Sequence, residues 1–374
     1  AYYSLGKAQE AIGYYERALA IAQEAGDRRG EGSHLGNLGG AYYSLGKVEK
    51  AIGNYEDGLA IAREIGDRLA EGSHLGNLGS VYCDLGKVEE AIGYLERALD
   101  IAREIGDRRG EGNALGNLGS TYRNLGKVGE AIDYYQRALA IAQEIGDRRG
   151  EETQLGNLGL AYSDLEQAEA AIGYHERALA IAQEIGDRRG EGIALGNLGS
   201  AHYSLEKMGE VIGYTKRGLA IAREVGDRRN EGNWLGNLGR AYYSLGTVGE
   251  AIRYHRRALA ISQELGDRRG ESIDLLNLGL AYRALGKVEE AIGYHERALA
   301  ISQELGDRRG EGDHNWNLGL LYEETDPARA VELMSVCVEY EREIGHPDAE
   351  ADAERVARIQ EKLAGGAQEA GQEE

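Results

Sequence analysis

Asp27-Arg28-Arg29-Gly30-Glu31-Gly32-Ser33-His34-Leu35-Gly36-Asn37-Leu38-Gly39-Gly40-Ala41-Tyr42-Tyr43-Ser44-Leu45-Gly46 is the stretch that decides the fold. Gly26, just before it, suits the left-handed stop of a preceding helix, and Asp27 is a good N-cap. Leu35, Leu38, Ala41, Tyr42 and Leu45 then fall at spacings of three and four, one stripe on a 3.6-residue helix, which Gly46 ends. A second helix starts near Val48, carries Ala51, Ile52, Tyr55, Leu59, Ala62 and Ile65 at the same kind of spacing, and stops at Gly66. Each has roughly 17 residues, or about 26 Å at 1.5 Å per residue, and the short link between them makes an antiparallel hairpin. Gly39 and Ala51 are small where the two helices should cross. An interior glycine costs about 1 kcal/mol against alanine, so packing between successive hairpins has to supply the stability.

The hairpin recurs. Gly-Asp-Arg is found at Gly26, Gly66, Gly106, Gly146, Gly186, Gly226, Gly266 and Gly306, eight copies at a spacing of 40 residues with no insertion. The 374 residues therefore read as one solenoid. It has a partial repeat at 1–26, seven full units over 27–306, a divergent unit at 307–345, a capping helix at 346–363 and a disordered acidic tail at 364–374. In the divergent unit Trp316 replaces a glycine and Pro327 enters near the start of the second helix. In the cap, Ala353, Val356, Ile359 and Leu363 are expected to face inward. Ala1-Tyr2-Tyr3-Ser4-Leu5-Gly6 repeats Ala41 to Gly46, so the chain is expected to start mid-repeat and to be a piece of something longer.

A formal net charge of −21 argues against a nucleic-acid partner, which needs a continuous basic face. Cys83 and Cys337 lie in distant repeats, which fits a reducing compartment and leaves no disulfide framework. Neither a signal peptide nor a membrane span appears in the sequence, and a cytoplasmic protein is expected.

Asn37-Leu38-Gly39-Gly40-Ala41-Tyr42, followed by Gly46, Ala51, Ile52, Tyr55 and Leu59, resembles the tetratricopeptide repeat, and the resemblance covers residues 1 to about 345. The 40-residue unit is most similar to the Partner of Inscuteable (Leu-Gly-Asn repeat) proteins, and less closely to kinesin light chain and to bacterial arrays of that type. Two departures stand out. The proline usual at the end of the second helix is absent, and no G-protein-binding motif follows the array. The resemblance implies an all-α, right-handed superhelix of antiparallel helix pairs whose first helix, helix A, lines a concave groove. It also implies that an asparagine at the position of Asn37 holds the backbone of an extended ligand. That asparagine recurs at Asn77, Asn117, Asn157, Asn197, Asn237, Asn277 and Asn317.

A carboxamide offers both a donor and an acceptor to a peptide backbone; the bland reading of the same ladder is local capping of helix carbonyls. Three to seven residues further along helix A the repeats differ, at Tyr43, Arg123, Tyr203, Arg240, Tyr243 and Arg283 and at acidic Asp84, Asp164, Glu323 and Glu324. Arg240, Tyr243 and Arg283 would suit a carboxylate or aromatic anchor, although a solvated helix face looks the same in sequence. The repeated arginines after Asp27 read as exposed ion pairs rather than an anion site.

His175, His255 and His295 take the place of Tyr15, Tyr55 and Tyr135 and read as packing substitutions. Copies of one position sit too far apart to share a metal. Neither a phosphate-binding loop nor a nucleophile elbow occurs. The sequence thus points to a non-catalytic scaffold, without cofactor or metal, that binds a segment of a protein partner. The alternative is the sensor or autoinhibitory arm of a larger signalling NTPase, and self-association through the N-terminal half-repeat is a further expectation.

Overall fold

The structure is a computed structural model that describes residues 5–370, with the side chains of 9–364. Two compact units divide the chain, Ala1–Ala194 and Leu195–Glu374. Every element among the described residues is an α-helix.

The first unit holds α1 (Leu5–Ala25), α2 (Arg28–Ser44), α3 (Val48–Ile65), α4 (Arg68–Asp84), α5 (Val88–Ile105), α6 (Arg108–Asn124), α7 (Val128–Glu144), α8 (Arg148–Asp164) and α9 (Ala168–Ile185), and the unit boundary falls within α10 (Arg188–Tyr203). Helix A of each repeat is even-numbered here and helix B odd-numbered. Their ends follow from local chemistry. Asp27 accepts the Gly30 N–H at 2.9 Å, and in the next three repeats Asp67, Asp107 and Asp147 accept the N–H of Ala70, Gly110 and Gly150. Gly66, with φ +71°, ends α3 by donating to the Ala62 and Arg63 carbonyls.

Between helices A and B the left-handed residue is again glycine at Gly46, Gly86 and Gly126, but Glu166 occupies it in the fourth hairpin with φ +57°.

The two helices of a hairpin meet where Gly39, Gly79, Gly119 and Gly159 lie against Tyr55, Leu95, Tyr135 and His175. Leu75, Leu78, Leu95, Leu115 and Leu118 are fully buried in one continuous core, each contributing about 1.5–3 kcal/mol. Outside it, Tyr82 stacks on Tyr94 and Tyr122 on Tyr134 with centroids 5.2 and 5.1 Å apart.

The arginines fasten the repeats at their surface. Arg68 ties the start of α4 to Glu71 at 2.5 Å and to Glu104 at the end of α5, within one hairpin. Arg63 reaches Glu71 of the following repeat at 2.9 Å. Glu64, Glu144 and Glu184 are held below the usual carboxylate range by their hydrogen bonds from Arg28, Arg108 and Arg148.

The second unit continues the pattern with α11 (Met208–Val225), α12 (Arg228–Ser244), α13 (Val248–Leu265), α14 (Arg268–Ala284), α15 (Val288–Leu305), α16 (Arg308–Tyr322), α17 (Pro327–Ile344) and α18 (Ala349–Ala370). Gly199, Gly239 and Gly279 make the crossing against Thr215, His255 and His295. Gly319 does so against Met334. Pro327 opens α17 at a position where its missing N–H costs nothing, capped by Asp326.

Val356 and Ile359 of α18 are buried with Met334 and Val338, but Leu363, expected inward, is 37% exposed. The helix also runs on to Ala370, through part of the stretch at 364–374 expected to be disordered. Extending a formed helix is far easier than nucleating one, so Gly365 and Gly366 add only about 1 kcal/mol each. Residues 1–4, expected to belong to a helix A, and residues 371–374 lie outside the described residues.

Candidate functional site

Helix A turns its apolar stripe into the hairpin and leaves the asparagine position on its other side, exposed at Asn37 and Asn77 and half-buried at Asn117 and Asn157. In the first unit Asn77 of α4, Asn117 of α6 and Asn157 of α8 line a single concave pocket of about 330 Å³. Ile101 and Ile105 at the end of α5 also line it, as does Leu69 at the start of α4. Ser73, Asn113 and Thr153, one turn before the asparagines, line it as well. These three were missed in the sequence reading, which followed helix A only towards its C-terminus. The varying residue at their position was the available signal.

The carboxamides do not all have the same partner. Asn117 donates to Ser80 Oγ on the preceding helix A at 3.0 Å, and Asn157 to Gln154 Oε1 at 3.3 Å. Arg123 does not stand free on this face. Its Nε meets Asp164 Oδ2 at 2.5 Å and its Nη2 meets Oδ1 at 3.2 Å, a bidentate pair between α6 and α8. Tyr43 of α2 packs as a half-buried side chain against the core. Asp84 is exposed, and partial desolvation of its carboxylate raises the pKa above the ordinary aspartate range.

In the second unit, Asn237 donates to Ser200 Oγ at 3.1 Å, as Asn117 does to Ser80. Asn277 and Asn317 instead donate to the carbonyls of Ile273 and Asp313 one turn back, at 2.9 and 2.8 Å, the local capping that the sequence left open. Asn197 is half-buried. The guanidinium of Arg240 lies over the ring of Tyr203, 4.7 Å from its centroid, and the Tyr203 hydroxyl is 2.8 Å from Ser244 Oγ. Tyr243 and Arg283 are exposed. Glu323 is taken by Arg355 of α18 at 2.7 Å, so it anchors the terminal helix rather than facing a free groove.

Serine, histidine and aspartate do come together in this unit, in its core. Ser262 donates to Asp274 Oδ2 at 3.0 Å, and His255 Nδ1 is 3.9 Å from Asp274 Oδ1. Ser272 lies 3.1 Å from His314 Nε2 and 3.3 Å from Ser302. The Ser262 hydroxyl is bonded to the carboxylate rather than to an imidazole, which is not the order a nucleophile needs, and where Ser272 does meet an imidazole, His314 Nδ1 has no hydrogen-bond partner among the described residues to orient the ring. All of these side chains are buried, and burial holds His295 and His314 down to about 4. His175, His255 and His295 each fill the core position opposite a glycine of helix A. The described residues contain no group of side chains placed to hold a metal ion, and no helix long and apolar enough to cross a membrane.

The family model described as tetratricopeptide repeat matches residues 1–64, 71–144, 151–224 and 271–340, and a second model of that description matches 235–269. Among curated proteins none matches the chain. Of solved structures, BtubC (BKLC) from P. vanneervenii is 25% identical over 59% of this chain and 92% of its own, with a TM-score of 0.53. A Signal Transduction ATPase with Numerous Domains that carries a tetratricopeptide repeat sensor, from Pyrococcus horikoshii, is 17% identical over 94% of this chain and 55% of its own, with a TM-score of 0.66. A Rap protein complexed with Competence and Sporulation Factor is 18% identical over 90% of this chain and 99% of its own, with a TM-score of 0.56. The last two share the fold. With the repeat model matched along most of its length and helical hairpins in each unit, this chain belongs to the tetratricopeptide repeat family.

Proposed function

We propose that this chain is a non-catalytic scaffold, acting in the cytoplasm, that binds a segment of a protein partner along the helix A face. One observation carries the reading: Asn77, Asn117 and Asn157, on three successive helices A, line one pocket together with Leu69, Ile101 and Ile105. An extended segment advances about 3.3 Å per residue and presents an amide at every step, which is what a row of carboxamides holds. The apolar side chains of the lining take those of the segment. The array would comprise the partial repeat at 1–26, the seven units over 27–306 and the divergent unit at 307–345, closed by the helix after it. The Rap protein, solved with Competence and Sporulation Factor bound, supports the reading as a relative in fold.

The test is capture of partners by this chain and by a variant carrying Asn77→Ala, Asn117→Ala and Asn157→Ala, with equal helicity checked by circular dichroism. Partners lost only in the variant are the expected result; partners retained equally overturn it.

A second reading, the sensor or autoinhibitory arm of a larger signalling NTPase, is favoured by the likeness in fold to the Pyrococcus horikoshii protein over 94% of this chain. A phosphate-binding loop encoded upstream would support it, and further repeats or a start codon there would count against it. Self-association through α1, where Tyr14 and Ile21 are exposed, is read by light scattering.

A further inference from the structure

In the first unit Arg29, Arg109 and Arg149, each the second arginine of a Gly-Asp-Arg-Arg motif, reach the N-cap aspartate of the next repeat. Arg29 Nε is 3.0 Å from Asp67 Oδ2, Arg109 Nε is 3.3 Å from Asp147 Oδ2, and Arg149 Nη2 is 2.8 Å from Asp187 Oδ2. The motif at residues 66–69 is Gly-Asp-Arg-Leu, and the residue that should pair with Asp107 is Leu69. Asp107 Oδ1 still caps α6 by accepting the Gly110 N–H at 3.0 Å, and among the described residues no cation pairs with this carboxylate. Leu69 and Asp107 both line the pocket described above, and Leu69 is 52% exposed beside Ile105 at 40%. Arg68, also in the wall, is already shared between Glu71 and Glu104.

We propose that the pocket takes an arginine side chain from the bound segment. Its guanidinium fills the place on Asp107 Oδ2 that the repeat's own arginine fills elsewhere in this unit, and an apolar neighbour packs on Leu69 and Ile105. The planar fork of arginine matches the carboxylate, whereas lysine offers only a point charge. A chain of net charge −21 draws a basic segment in. The volume, about 330 Å³, is at the low end for ligand pockets and suits one or two side chains. The substitution is confined to one repeat, the other seven motifs keeping the arginine, and Asp107 is the N-cap aspartate that lines the pocket. This inference rests on the groove reading and adds the chemistry of the partner to it.

The probe is a random heptapeptide library displayed on phage, selected on the full chain, with affinities of the recovered peptides measured by calorimetry. Enrichment of arginine beside an apolar residue is expected. The recovered peptides should then bind at least about tenfold more weakly to Asp107→Asn and to Leu69→Arg, as loss of a charge-assisted pair implies. Asparagine still caps the helix, so the first variant folds; the second restores the repeat's own ion pair. Peptides that depend on Asn77, Asn117 and Asn157 but show no arginine enrichment, or bind Asp107→Asn as tightly, overturn this inference alone. Recovery of no peptide overturns the groove reading and this inference with it.

Discussion

Gly119 and Tyr135 touch where α6 crosses α7: a Cβ on Gly119 would stand 2.6 Å from Tyr135 Cε1. Tyr135 is 1% exposed and its hydroxyl lies 3.1 Å from Ser120 Oγ, so the ring has nowhere to go. Gly119→Ala therefore overpacks the hairpin and should lower stability by about 1–3 kcal/mol, despite the better helix propensity of alanine. Urea unfolding followed by circular dichroism measures it. A stabilised variant would mean that the crossing is looser than described.

Glu166 holds φ +57° and Glu206 φ +54° at the turn where the other hairpins of this kind carry glycine, as at Gly46, Gly86, Gly126, Gly246 and Gly286. A left-handed conformation costs a non-glycine residue about 1–2 kcal/mol. Glu166→Gly should raise the unfolding midpoint, and Glu166→Ala should not, which separates the backbone effect from loss of the carboxylate.

His175 is buried against Gly159, and burial lowers its pKa to about 4. The unfolded chain takes up that proton near 6.5, so the stability His175 supports is intact above that value and is lost as the pH falls from about 6.5 towards 4. Leucine fills the same place at Leu95, fully buried. His175→Leu should therefore show a smaller drop in melting temperature between pH 7 and pH 5 than the parent chain.

Glu152 titrates in the opposite sense. Burial first, and then the nearby charge of Asp187, raise it to about 7. A carboxyl raised in the folded state favours folding below its unfolded value, about 4.3, and that contribution is lost as the pH rises through 7. Glu152→Gln should gain melting temperature relative to the parent at pH 8 and little at pH 4. An equal gain at both would assign the effect to packing.

The 40-residue period, the caps at Asp27 and its copies, the glycine stops and the apolar stripes were all legible, because each is a local property of the backbone or of 3.6-residue periodicity. So was the crossing at Gly39, since only a residue without Cβ leaves room for Tyr55. Tertiary structure decided where the polar side chains point. Asn117 and Asn277 hold the same repeat position, yet one reaches Ser80 on the preceding helix A, and the other, with Arg240 in place of that serine, bonds its own helix carbonyl. Arg123, a groove candidate by spacing, is claimed by Asp164 one repeat away. Leu69 reads in sequence as a lapse in a motif. It acquires meaning only when the fold shows that its arginine counterparts bridge to the next repeat and that Asp107 stands at the end of that reach. Helix formation needs only neighbours in the chain, but a charge or carboxamide is satisfied by whatever lies nearest in space. In a solenoid that partner is often some 40 residues away.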